Sequence, residues 1–408
     1  MAKISTDKAK IQELLTRGVE NIYPKYEYLE KLLLSGKPLK LYLGVDPTGP
    51  TLHLGHAINI EKLRQFQELG HQIILLIGDF TGTVGDPTDK AATRKPLTRA
   101  EVLQNAKDYK KQASKLINFS GNNKAEIKFN SQWANKLNFA EVLNLASNFT
   151  VQRLLERDMF QERIKAAKPI HLHEFMYPVL QAYDSVAMEV DGELGGNDQT
   201  FNMLAGRDLM KTLKNKEKFV ITMKLLTDSS GKKMGKTEGN MAALSDTAQD
   251  MFGKIMSWTD GMIIAGYELC TRVPMTEVKK IEQELKAGKN PRDIKFHLAS
   301  EVVTMYFSKE AAVKAGQEFT NIFAKKGTPD DIKHYNMEAE TGNFKLTGMP
   351  IDLLIDLKFV NSKGEARRLI DGGGLKINSK KITSWEEKVN LKSGDVIQAG
   401  KRKFAKIK

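Results

Sequence analysis

The chain has 408 residues, 41% hydrophobic and 28% charged, with a formal net charge of +13; this suits two or three packed domains. Its longest aliphatic run, Ile73 to Ile77, is far too short to span a membrane, and Met1-Ala2-Lys3-Ile4-Ser5 lacks the apolar core of a secretion signal. The single cysteine, Cys270, excludes an internal disulfide and a cysteine-rich zinc site, and it fits a reducing cytoplasm.

Ile11 to Leu34 carries apolar residues at roughly helical spacing, interrupted by Gly18 and Pro24, and reads as helical packing ahead of the core. Lys40 to Asp46 is the first strand candidate. Ala57 to Leu69 is an amphipathic helix with Gly70 just past its end. Gln72 to Ile77 is a near-continuous aliphatic run, as a buried parallel strand requires. Strand, helix and strand in this order make a βαβ unit, so the first domain is α/β with a Rossmann-like parallel sheet.

Thr98 and Glu101 form a capping box opening a helix to about Ile117, Ile127 to Phe129 is a short strand, and Asn138 with Glu141 opens a long helical region reaching Ala167. In the next helix, Glu174 to Met188, residues Tyr177, Gln181 and Asp184 stand at i, i+4 and i+7 and share a face where a purely structural helix would carry aliphatics. Gly195 to Gln199 opens a further helix to about Leu213, and Phe219 to Leu226 is another strand. From Thr247 to about Phe323 the pattern is helical, and a polar linker follows. The last 58 residues, from Ile351, hold 14 Lys or Arg against 7 Asp or Glu, an excess that suits an anionic polymer, though a basic face is often merely solvated. They read as two helices and then short strands.

Two stretches carry chemistry. His53-Leu54-Gly55-His56 stands where a helix begins, and a helix N-terminus with imidazole donors suits phosphate; two capping histidines are the plain alternative. Lys232, Lys233 and Lys236 surround Met234 and Gly235 in a polar loop able to neutralise a polyphosphate, although lysine-rich loops are usually just solvated. No Walker-type phosphate loop is present.

Together, the H-x-G-H turn and Lys233-Met234-Gly235-Lys236-Thr237, about 180 residues later, resemble the class I aminoacyl-tRNA synthetases. Tyr42-x-Gly44-x-Asp46-Pro47-Thr48, Gly85-Asp86-Pro87, Tyr177-x-x-x-Gln181-Ala182-Tyr183-Asp184 and Gly195-Gly196-Asn197-Asp198-Gln199 are similar, in order, to bacterial-type tyrosyl-tRNA synthetases. Gly235 and Thr237 replace serines of that family's loop, and Asn197 stands where Ser or Thr is common.

The resemblance implies ligation of tyrosine to its tRNA through a tyrosyl-adenylate. Tyr42 and Asp184 would then tell tyrosine from phenylalanine. Asp86, Tyr177 and Gln181 would take the α-ammonium group, Gln199 the carboxylate end, and Asn130 would reach the same pocket; Trp133 reads as plain packing. Thr48, His53, His56, Lys90, Arg94, Lys233 and Lys236 would contact phosphate and pyrophosphate. Gly44, Asp46, Gly55, Gly196 and Asp198 would border ATP, with Asp198 on the ribose and the backbone at Leu225 and Leu226 facing adenine. Mg2+ would bridge the phosphates, with no metal cage in the protein.

Ser362, Lys363, Arg367, Arg368 and Lys376 resemble the contact residues of a small RNA-binding module shared with a ribosomal protein. The implied domains are 1–228, catalytic, with a dimer-interface insertion at about 130–165; 229–325, the lysine loop and a helical anticodon-region-binding domain; 326–350, a linker; and 351–408, the RNA-binding module. A homodimer without a membrane anchor is expected. The rivals are a tryptophan-specific relative, an RNA-folding protein on a synthetase scaffold, and a nucleotidyltransferase acting on a small substrate.

Overall fold

The computed structural model describes residues 3–88, 97–227, 241–323, 333–335, 347–400 and 403–407. The chain divides into two compact units, residues 1–246 with 254–306, and residues 247–253 with 307–408.

The first unit is built on six strands: β1 (Val19–Tyr23), β2 (Lys40–Val45), β3 (Gln72–Ile77), β4 (Glu126–Phe129), β5 (Gly192–Gly196) and β6 (Phe219–Met223). They lie in the order β1-β6-β5-β2-β3-β4. All neighbours are parallel except β1, which runs antiparallel to β6 along the edge. From β2 the chain winds outward to β3 and β4, then returns to β5 on the other side. Such a reversal of strand order opens a crevice at the carboxyl ends of the two central strands, β2 and β5. The apolar runs in β2 and β3 are buried on both faces, with Leu41, Ile74 and Leu75 all inaccessible to solvent.

Two strands of this sheet, β1 and β5, depart from the expected elements. Val19–Tyr23 falls inside the expected helical stretch but is a strand, bounded by Gly18 at φ +65° and by Pro24. Its pairing with β6 outweighs local helical spacing. Gly192–Gly196 has three glycines, which weaken a strand signal. A Cβ at Gly192 would lie 2.1 Å from the Phe219 ring, so close strand packing explains the first of them.

Both capping boxes form, at Thr98 with Glu101 and at Asn138 with Glu141. The long helices expected after them are broken into shorter ones, Arg99–Ala106 and Tyr109–Ala113 in the first case, and Phe139–Ala146, Val151–Leu155 and Asp158–Lys165 in the second. The buried Arg17 ties the N-terminal segment to the helix Ile263–Cys270. Its guanidinium donates to the carbonyls of Tyr267 (3.0 Å), Glu268 (2.9 Å) and Thr271 (2.6 Å) at the helix end, where the Thr271 hydroxyl also donates to the Tyr267 carbonyl.

In the second unit, helices Pro350–Asp356 and Lys363–Asp371 pack on a small sheet that includes Leu375–Ile377, Val396–Ala399 and Lys403–Ile407. Leu354, Ala366, Ile370, Leu375 and Ile397 form its core. All residues of this apolar cluster fall between Ile351 and Ile407. Lys333–Tyr335, within the expected linker, adds a parallel strand beside Lys403–Ile407.

Candidate active site

The crevice predicted by the strand order is a cavity of about 350 Å³ at the carboxyl ends of β2 and β5. Every described residue assigned to the site in the first unit lines it: Tyr42, Gly44, Asp46, Thr48, His53, Gly55, His56, Asp86, Asn130, Tyr177, Gln181, Asp184, Gly196, Asp198, Gln199, Leu225 and Leu226. Lys90, Arg94, Lys232, Lys233 and Lys236 lie outside the described residues.

His53 is the N-cap of helix Leu54–Glu68, and its Nδ1 accepts from the Gly55 N–H at 3.1 Å. The His56 Nδ1 accepts from the His53 N–H at 3.2 Å. The two histidines thus form a reciprocal capping box, which puts the proton of each neutral ring on Nε2. The rings lie 3.9 Å apart. Capping and phosphate binding are therefore compatible, since capping uses one nitrogen and orients the other N–H. A Cβ at Gly55 would meet the His53 ring at 2.9 Å, so this glycine first makes room for the cap.

The chain on both sides of residues 228–240 is anchored beside this turn. Leu225 and Leu226 line the cavity ahead of it. Beyond it, Leu54 N–H donates to the Ala242 carbonyl at 3.0 Å and Leu244 N–H to the Leu52 carbonyl at 2.8 Å.

The opposite end of the cavity is closed by buried side chains. Asp184 is 4% exposed and Tyr42 1%. One Asp184 oxygen accepts from Trp133 Nε1 at 2.7 Å, the other from Asn130 Nδ2 at 3.3 Å. Trp133 is therefore not plain packing: its indole N–H holds the carboxyl group. Burial pushes the Asp184 pKa well up, while these two donors pull against it. Asn130 follows β4 and also donates to Thr81 Oγ1 at 2.9 Å, and Thr81 donates to Asp46 at 2.8 Å. Tyr177 donates to the other Asp46 oxygen at 3.0 Å, and burial, then the charge of Asp46, raises its phenol pKa well above the ordinary value. Gly78 permits this, since a Cβ there would sit 1.9 Å from Asp46 Oδ1.

Between the two ends, Gln199 Nε2 donates to Asp86 at 2.7 Å. Thr88 also donates to Asp86, through its N–H at 3.0 Å and its hydroxyl at 2.7 Å. Arg157, 7% exposed, comes within 3.7 Å of Asp86 and donates to Thr88 Oγ1 at 2.6 Å. Burial, then the neighbouring Asp86 charge, raises the Asp198 pKa. Thr81, Trp133, Arg157 and the buried group Ser185, Glu193 and Lys218 were missed in sequence. One signal was available for Ser185: it extends the Tyr177, Gln181 stripe by another i+4 step.

In the second unit, Ser362 caps helix Lys363–Asp371 by accepting from the Glu365 N–H at 3.2 Å. Lys363, Arg367 and Arg368 are exposed on it, with Ala366 and Ile370 turned to the core. Lys376 is half-buried on its strand, and the Arg367 guanidinium stacks 4.5 Å from the centre of the Trp385 ring.

A crevice at the carboxyl ends of a parallel sheet, with two capping histidines at a helix N-terminus, suits an enzyme that binds a nucleotide. The family model described as tRNA synthetases class I (W and Y) matches residues 34–324, and the S4 domain matches residues 349–397. A curated relative from Moorella thermoacetica, named tyrosine–tRNA ligase, is 43% identical over 99% of this chain and 97% of its own length. Another of the same name, from Haemophilus ducreyi, is 45% identical over 96% of both chains. A solved structure of a C-terminally truncated Aspergillus nidulans mitochondrial tyrosyl-tRNA synthetase shares the fold, with a TM-score of 0.64, 22% identity, and coverage of 78% of this chain and 94% of that one. So does the Archaeoglobus fulgidus tyrosyl-tRNA synthetase solved with L-tyrosine, with a TM-score of 0.59, 21% identity, and coverage of 76% and 99%. The chain belongs to the class I tRNA synthetases of the W and Y family, among its bacterial tyrosine–tRNA ligases.

Proposed function

We propose that the protein joins L-tyrosine to its tRNA in two steps: tyrosine and ATP give tyrosyl-adenylate and pyrophosphate, and the tyrosyl group then passes to the 3′-terminal adenosine. One observation carries the reading. A single cavity has a buried end with a held carboxyl group, Asp184, and a polar mouth with two oriented imidazoles.

In the first step the tyrosine carboxylate attacks the α-phosphate. No protein nucleophile takes part, and the work of the chain is alignment and charge stabilisation. The substrate phenol lies between Tyr42 and Asp184. Asp86, Tyr177 and Gln181 take the α-ammonium group, and Gln199 orients the carboxylate end. Thr48, His53 and His56 donate to phosphate, joined by Lys90, Arg94, Lys233 and Lys236. Asp198 holds the ribose, and the backbone at Gly196, Leu225 and Leu226 borders the adenine. ATP brings Mg2+ on its phosphates; among the described residues no three His, Cys, Asp or Glu side chains group as a ligand set.

We read residues 229–325 as the region that meets the anticodon arm, and 351–408 as a second RNA contact through Ser362, Lys363, Arg367, Arg368 and Lys376. The chain works as a cytoplasmic homodimer; Phe139, Leu143, Val151 and Ile164, apolar yet exposed, support an interface along about 130–165. Among the described residues no helix is long and apolar enough to cross a membrane. Tyrosine-dependent ATP–pyrophosphate exchange tests the reading directly. Exchange driven by tryptophan and not by tyrosine, or RNA binding without any exchange, would sink it.

A further inference from the structure

Behind the closed end of the cavity lies a buried charged group that the reaction does not use directly. Lys218, just ahead of β6, is 0% exposed, and Glu193 on β5 is 2% exposed. The Lys218 ammonium donates to a Glu193 oxygen and, at 2.9 Å, to Ser185 Oγ. Ser185, also fully buried, lies 3.1 Å from the Tyr42 hydroxyl and 3.5 Å from Glu193. The other Glu193 oxygen accepts from Gln181 Nε2 at 3.0 Å. Space for the group is built in: a Cβ at Gly206 would lie 2.6 Å from Lys218 Nζ and 3.0 Å from Ser185 Oγ.

The chemistry of the partners sets a direction. An ammonium group only donates, so Ser185 Oγ accepts from Lys218. The single Ser185 proton has two acceptors in reach, the Glu193 carboxylate at 3.5 Å and the Tyr42 oxygen at 3.1 Å, and the inference rests on its donation to the nearer one, Tyr42. With Tyr42 accepting from Ser185, its own proton is left for the cavity, where a substrate phenol oxygen would take it in competition with the Glu193 carboxylate. The substrate O–H in turn donates to Asp184. Lys218 has a second effect. The charge of Glu193 also faces Tyr42 and would draw its proton away from the cavity; the ammonium group offsets that charge.

We propose that Lys218 and Ser185 are positioning residues for tyrosine selectivity: they fix the Tyr42 hydroxyl as the donor to the substrate phenol. The inference rests on the reading of the cavity as a tyrosine site, and it assigns a task to residues that never touch the substrate.

The test is ATP–pyrophosphate exchange with tyrosine and with phenylalanine on the full chain, for wild type, Ser185→Ala and Lys218→Met, beside their thermal unfolding midpoints. Ser185→Ala keeps the Lys218–Glu193 ion pair and removes the hydroxyl that links Lys218 to Tyr42. It is expected to lower kcat/KM for tyrosine about tenfold, through KM, and to leave phenylalanine unchanged, as loss of one hydrogen bond to a polar substrate group predicts. Lys218→Met should lower the tyrosine-to-phenylalanine ratio further. A folded Ser185→Ala enzyme with an unchanged ratio overturns the proposal. So does a loss that falls equally on both amino acids along with the unfolding midpoint, the mark of a purely structural role. Absence of tyrosine-dependent exchange in the wild type would instead refute the tyrosine reading itself.

Discussion

At the closed end of the cavity, Tyr42, Asn130 and Asp184 are each at most 4% exposed, and their polar atoms are held by one another or by Trp133, Thr81 and Ser185. At the mouth, His53, Gly55, His56 and Asn59 are half-buried, and the Lys224 side chain is 43% exposed. On the proposed function the closed end serves recognition: an unpaired polar group buried there is costly, so a substrate lacking the matching hydroxyl would be rejected. On the same proposal the mouth serves charge that develops and leaves, since donors oriented by a helix cap suit phosphates. Selectivity and rate should therefore respond to different residues.

Asp184→Ala gives the largest effect. A site that hydrogen-bonds an OH rejects the analogue lacking it by roughly 10⁴–10⁵, so the preference for tyrosine over phenylalanine in pyrophosphate exchange should collapse toward unity. A preference that survives in the folded variant would place recognition elsewhere. His56→Ala should act on the other side of the comparison. Loss of one oriented donor lowers kcat by about 10²–10³, with tyrosine KM nearly unchanged. A raised tyrosine KM at normal kcat would contradict the division between the two ends.

Trp133→Phe sharpens the comparison. It keeps the aromatic volume and removes one N–H from Asp184, so amino-acid discrimination should fall about tenfold while kcat for tyrosine changes little. Steady-state exchange with both amino acids measures this; equal losses for both would argue against the role of the indole.

His71 gives the smallest effect and lies apart from both ends. It is fully buried, its Nδ1 accepts from the Leu39 N–H at 3.3 Å, and burial lowers its pKa to about 4. The unfolded chain binds this proton near pH 6.5, so the folded state is favoured fully above that value and loses the contribution as pH falls toward 4. At pH 5.5 the loss should be about 1 kcal/mol, absent in His71→Asn; denaturant midpoints at pH 7.5 and 5.5 compare them. Parallel pH dependence in the two proteins would remove His71 from the account.

What the sequence by itself determined was local. The βαβ turn, the helix caps at Thr98 and Asn138, strand β3 and the shared face of Tyr177, Gln181 and Asp184 all rest on chemistry within a few residues. The family motifs extended this to the cavity lining. The tertiary structure alone decided the rest. Strand β1 exists because β6, about 200 residues later, offers it an edge. Trp133 serves Asp184 from 51 residues away, and Ser185 meets Tyr42 from 143 away. Such pairs leave no period or spacing in the chain. Packing brings them together, and burial there makes each hydrogen bond necessary.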